Sequence, residues 1–200
     1  TQHFIEHVLD ITRSLAYHGF KKIYLLNGHG SNMPNLDLVA RRTNLETDAE
    51  CLLSAWWQLL SIDPDFLPGW RESHFPGGCS HAGELETSVY LHLDRDNVRE
   101  DKIQSGTISF NDEESPYLYT DLFGTGAAAL TSWTSSYSET GVLGDAEAAT
   151  AEKGKAAYEE AVRQLANIVN WFKERPCDQR RENHRRPPTM PIPWKQQPLG

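Results

Sequence analysis

The chain has 200 residues, 38% of them hydrophobic, which suits one domain with a real core and a short appendage. A net charge of −9 excludes a general nucleic-acid surface, because phosphate binding needs a basic field, and favours a small-molecule substrate. Cys51, Cys79 and Cys177 are odd in number and lack any C-x-x-C spacing, so neither a disulfide framework nor a zinc knuckle is indicated, and no apolar run approaches a membrane span; a reducing cytoplasm is the expected compartment.

From Phe4 to Tyr17, residues Ile5, Val8, Leu9, Thr12, Leu15 and Ala16 keep helical spacing and Gly19 supplies a stop, predicting an amphipathic helix. The opening TQHFIEHVLD has no signal-peptide pattern and no methionine, and reads as a start inside a domain. Lys22 to Leu26 is short, apolar and followed by turn chemistry, predicting a buried strand, and Met33 to Thr43 reads as a helix with Asn32 as N-cap. A second strand is predicted over Cys51 to Ala55, followed by a long aromatic loop broken by Pro and Gly. GELETSVYLHL predicts a further helix and TISF a strand. Asp145 is the expected cap of a long helix reaching about Lys173, with an apolar stripe through Ala157, Ala161, Leu165, Ile168 and Val169. This alternation predicts an α/β fold. The remainder holds six of the eleven prolines, and its five cations against Asp178 and Glu182 give +3, leaving −12 on the rest. It reads as an extended tail over residues 176–200, either solvated or docked on the acidic body or a neighbouring subunit through Met190, Ile192 and Trp194.

Two stretches carry chemistry. In YLLNGHGSN, His29 sits between Gly28 and Gly30 where a strand hands over to a helix, the place where open α/β sheets collect ligands. Flanking glycines leave the imidazole displayed, available as a metal ligand or general base, although a lone turn histidine is equally well a solvated passenger. In CSHAGELETS, His81 precedes a helix carrying Glu84 and Glu86 in its first turns. Carboxylates there are ordinary helix-start chemistry, yet an imidazole beside a carboxylate is also an acid/base or metal pair. Cys79, two residues before His81, offers a weaker alternative as a cysteine nucleophile. FGTGAAA matches G-x-G-x-x-A without a leading strand, which makes a dinucleotide site improbable, and no G-x-S-x-G is present. Trp56, Trp57, Trp70, Phe66 and Phe75 form either a pocket wall or the loop's own core.

LLNGHGSN, HAGELETSVYLHL and TGVLGDAEAATAEKGKAAYEEAV, in that order, resemble the creatininase (creatinine amidohydrolase) family over most of residues 1 to 173. The resemblance implies a three-layer α/β fold with a mostly parallel sheet flanked by helices, a two-metal site of zinc or manganese, and hydrolysis of a C–N bond in a small molecule. It makes His29 and Glu86 metal ligands and His81 the catalytic histidine that moves a proton to the leaving group. It also implies a homo-oligomer, often a hexamer, and an upstream strand and loop whose glutamate, histidine and aspartate complete the metal pair. Residues 1–175 are therefore expected to form the hydrolase domain without that segment. Gly30 and Ser31 stand where creatininase proper has an aromatic residue and a glutamate, which argues against creatinine itself. A catalytically silent member acting as a binding or assembly module is the alternative from a different functional class.

Overall fold

The structure, a computed structural model, describes residues 1–106 and 117–177; the predicted TISF strand at 107–110 and the tail beyond residue 177 lie outside the described residues. Two compact units emerge, Thr1–Ala55 with the chain from Asn167, and Trp56–Ala166.

In the first unit, α1 (Gln2–Tyr17) leads through Gly19, at φ +93°, into β1 (Lys22–Asn27), α2 (Met33–Glu46) and β2 (Glu50–Ala55). The left-handed backbone at residue 19 is the reason a glycine ends that helix. β1 and β2 pair in parallel, Lys22 opposite Glu50 through Asn27 opposite Ala55, with α2 as the crossover. The helices meet through the fully buried Leu9 and Val39 and through a hydroxyl bridge, Thr12 Oγ1 to Thr43 Oγ1 at 2.7 Å. One hydroxyl hydrogen closes that bridge while a helix carbonyl, Leu9 O or Val39 O, takes the other, so neither buried hydroxyl is left unpaired. Beside it, the Glu46 carboxylate, 2% exposed, accepts from Arg13 and Arg42, and Arg42 also reaches Glu6 at 2.7 Å.

The second unit opens with 3-10 turns over Trp56–Ser61 and a short α3 (Phe66–Trp70) where the sequence predicts only loop. Trp57 and Trp70 are buried, and Trp70 stacks on Phe66, so these aromatics are core, whereas Phe75 stays half exposed. β3 (Cys79–His81) pairs antiparallel with β6 (Leu143–Gly144), and β4 (Thr120–Asp121) with β5 (Gly124–Thr125). The glycines of FGTGAAA therefore belong to a hairpin. Between β3 and β6 the Gly78 carbonyl accepts from the amides of Glu84 and Asp145. Cβ atoms at Gly83 and Gly144 would lie 2.3 and 2.5 Å from that oxygen, so glycine is required where these backbones cross. α4 (Glu84–Leu93) follows, and α5 (Ala151–Glu174) passes from this unit into the first.

Capping differs from expectation at two helices. Asp145 precedes a 3-10 turn, Ala146–Ala148, and its carboxylate accepts from Ser105 Oγ at 2.7 Å; Thr150 caps α5 instead, its hydroxyl accepting from Lys153 N at 3.2 Å. Asn32 lies in helical conformation without a side-chain cap bond, because the chain already turns as a 3-10 helix over Gly30–Asn32, with His29 as cap. Among the described strands the long pair is parallel and the short pairs are antiparallel, each in a two-stranded sheet, and helix alternates with strand as the α/β class expects.

Candidate functional site

His29 stands at the carboxyl end of β1. Asn27, 3% exposed, folds back on the turn: its Nδ2 donates to His29 O at 2.6 Å and its Oδ1 accepts from His29 N at 3.2 Å. This Asx geometry sets the backbone and leaves the imidazole exposed. The ring's Nδ1 accepts from Ser31 N at 3.2 Å, so that nitrogen is engaged within the turn. Added Cβ atoms at Gly28 and Gly30 would meet nothing within 4 Å and neither residue has positive φ, so the exposure of the ring does not depend on glycine at these two positions, contrary to the expectation from its flanking residues.

His81 and Glu86 are brought together. β3 ends at His81, Ala82 takes the left-handed conformation at φ 49°, and α4 starts two residues later. A non-glycine residue there costs on the order of 1 kcal/mol and is held by its surroundings. Glu86 Oε2 accepts from Ala82 N at 2.7 Å, and Thr87 Oγ1 donates to Ala82 O at 2.9 Å. The reversal places His81 Nδ1 3.9 Å from Glu86 Oε2, an ion-pair separation rather than a hydrogen bond, with His81 half exposed.

Glu84 behaves differently from Glu86. Two helical residues differ by 200°, so while Glu86 faces outward Glu84 is fully buried. Its carboxylate accepts from Glu72 N at 3.0 Å, Ser73 N at 2.9 Å and Lys153 Nζ at 2.7 Å. Burial pushes its pKa up, but the Lys153 and Ser73 hydrogen bonds and the two backbone donors outweigh it, and the carboxyl sits below its ordinary value. A second buried carboxylate, Asp121, holds Arg71 at 2.7 Å and accepts from Gly77 N at 2.8 Å. Nothing in the local sequence pattern marks Lys153, Arg71 or Asp121 as partners; only the 200° offset of Glu84 from Glu86 is readable there.

The cysteine alternative fails on this geometry. Cys79 is 1% exposed, and burial pushes its thiol up to about 11, so little thiolate forms near neutral pH. Its Sγ contacts Ser73 Oγ at 3.5 Å and Glu84 Oε2 at 3.8 Å, and a strand irregularity separates it from the exposed His81. A thiol donating toward a carboxylate is inert as a nucleophile.

The imidazoles and Glu86 suit a borderline divalent cation in kind. They fall short in number, since among the described residues no group of three or more His, Cys, Asp or Glu side chains could hold one, and the His29 Nδ1 lone pair is engaged by Ser31. The described residues do not by themselves build a two-metal centre.

Solved creatininases share this architecture. One superposes with a TM-score of 0.65 over 86% of this chain and 64% of its own, at 24% identity. A creatininase described as a manganese form gives 0.63 at 25% identity, and a zinc–zinc mutant form 0.62 at 25%, each over 84% of this chain and 62% of that one. Fold and turn chemistry thus define an α/β protein of the creatininase fold class. The Creatininase family model, creatinine amidohydrolase, matches residues 1–169, and the chain belongs to that family. A mycofactocin precursor peptide peptidase of Mycobacterium tuberculosis is 34% identical over 150 residues, 73% of this chain and 48% of that protein. The creatinine amidohydrolase of Pseudomonas putida is 28% identical over 170 residues, 81% of this chain and 60% of that protein. The chain thus spans about half the length of the peptidase it matches.

Proposed function

We propose that the complete protein is a metal-dependent hydrolase of a C–N bond, an amide of a small molecule or a short peptide, with His81 as the proton-transfer residue and His29 and Glu86 as metal ligands. The observation that carries the reading is the His81–Glu86 reversal, where an exposed imidazole is held 3.9 Å from a carboxylate by a left-handed residue. Membership of a family whose named relatives include an amidohydrolase and a peptidase supports the reaction class. The manganese and zinc–zinc forms among structural neighbours support the cofactor. When bound, a divalent cation supplies Lewis-acid polarisation of the scissile carbonyl and acidifies water. In this chain, Glu86 orients the turn through Ala82 N, and His81, exposed beside it, gives a proton to the departing nitrogen. Further ligands must come from outside the described residues.

Gly30 and Ser31, in place of an aromatic residue and a carboxylate, leave the His29 turn open and favour a substrate other than creatinine. We further propose a cytoplasmic homo-oligomer, of the hexameric kind the resemblance implies; no helix among the described residues is long and apolar enough to cross a membrane. A catalytically silent binding module is the second reading, favoured by the incomplete donor set.

The two readings part in one experiment on the full-length protein. His81→Ala is expected to lower turnover by roughly 10² to 10⁴ while metal content stays near wild type. His29→Ala and Glu86→Ala are expected to lose metal and activity together. Absence of hydrolysis and of bound zinc or manganese in the unmodified protein would establish the silent reading.

A further inference from the structure

We infer that Glu84 is a positioning residue: its buried carboxylate ties three chain segments to the start of α4 and so fixes the His81–Ala82 reversal on which His81 and Glu86 depend. The inference rests on the hydrolase reading of that turn.

Both oxygens of Glu84 are spoken for from inside the protein. Oε1 accepts from Glu72 N at 3.0 Å and Lys153 Nζ at 2.7 Å, while Oε2 accepts from Ser73 N at 2.9 Å and faces the Cys79 thiol at 3.8 Å. With the residue fully buried, no lone pair is offered to a substrate or cation, which separates its role from that of Glu86. Lys153 carries the link onward, reaching Glu72 at 3.0 Å and Ala148 O at 3.0 Å, while its backbone carbonyl takes the indole N–H of Trp70 at 2.9 Å. The carboxylate therefore joins the segment after α3, the strand β3 and the first turn of α5 at one point.

That point is also the base of the turn. Glu84 N donates to Gly78 O at 3.2 Å, so the loop from Gly78 to Glu84 is closed by a backbone bond, and the Glu84 side chain braces it from beneath. His81 and Ala82 form its outer part. Ala82 holds its left-handed backbone only against local cost, and such a conformation relaxes when the frame loosens. A buried ion pair contributes little net stability compared with apolar residues of equal volume. What Glu84 supplies that an apolar side chain would not is a set of directional bonds that admits one orientation of the turn.

The test uses full-length protein carrying Glu84→Gln and, because the neutral side chain leaves the part-buried Lys153 with only the exposed Glu72 as an ion-pair partner, a second variant carrying Glu84→Gln with Lys153→Gln. Amide hydrogen exchange compares Ala82 N–H, which bonds Glu86, with Leu91 N–H inside α4; hydrolysis is followed on creatinine and on an unblocked tripeptide. A positioning role predicts that Ala82 exchanges roughly tenfold faster or more while Leu91 keeps its protection. Turnover then falls by roughly 10- to 100-fold with KM nearly unchanged, as expected when reacting groups are misplaced rather than removed. Equal loss of protection at Ala82 and Leu91 in both variants would reduce Glu84 to a general stabiliser and overturn the inference. Unchanged Ala82 exchange in either folded variant would overturn it as well. If the unmodified protein hydrolyses neither probe, the hydrolase reading loses its support, and the Ala82 exchange still decides whether Glu84 positions the turn.

Discussion

Gly154→Ala sets two effects of opposite sign against each other. Gly154 lies in the first turn of α5, where replacing glycine by alanine gains about 1 kcal/mol of intrinsic helix propensity. The packing argues the other way: a Cβ built there lies 1.8 Å from Ser88 O, 2.4 Å from Ser88 C and 2.9 Å from His92 Cβ. The obstacle is the backbone of α4, which cannot rotate aside as a long side chain would. Restoring ordinary contact requires the two helices to part by roughly 1.5 Å, an overpacking strain that costs about 1 to 3 kcal/mol and sometimes more. Separation would also break the bond from Thr150 N to Ser88 Oγ at 3.1 Å, which costs about 1 kcal/mol. The strain and the lost bond outweigh the propensity gain, and a net destabilisation of about 2 kcal/mol is expected, a fall in Tm of about 4 to 8 °C for a chain of this size. Calorimetry and urea unfolding both read it. A Tm equal to or above that of the unmodified protein would refute the close packing of α4 on α5.

Four further outcomes follow from the structure and the sequence. Lys153→Met removes the ion-pair partner of the buried Glu84 carboxylate and is expected to destabilise the protein by about 3 to 5 kcal/mol, measured by urea unfolding. Burial pushes the thiols of Cys79 and Cys51 up to about 11 from 9.0, so both should label with iodoacetamide about a hundredfold more slowly at pH 8 than an unperturbed thiol. For Cys79 the folded state favours the neutral thiol, so its contribution is intact below pH 9 and is lost as pH rises toward 11, about 2 to 3 kcal/mol in all by a stability-versus-pH titration. A form ending at Arg175 is expected to sediment as a smaller or less stable assembly, because the tail's +3 opposes −12 on the rest; an unchanged oligomer of unchanged stability would leave the tail a solvated arm.

Local pattern carried much of the first unit. The spacing of Ile5, Val8, Leu9 and Thr12, the stop at Gly19 and the apolar run before Asn27 each act within a few residues, and α1, β1, α2 and β2 appear where those signals lie, within three residues at the ends. The exposure of His29 follows from its place in the turn after β1 and not from its two glycines, while the closeness of His81 to Glu86 was legible from their separation of five positions at a helix start. Capping was less legible: Asp145 precedes a 3-10 turn, so the α5 cap falls to Thr150, and Asn32 holds the N-cap position of α2 without a side-chain cap bond. Tertiary structure alone decided the rest. Glu84 and Glu86 are the same residue type two positions apart, yet one is a buried anchor and the other a half-exposed partner of His81, because only one side of α4 meets Lys153 and the amides of Glu72 and Ser73. The inertness of Cys79 has the same origin: a thiol's reactivity depends on what surrounds it in space, and Ser73, Glu84 and, from much further along the chain, Asp121 close around that position when it folds.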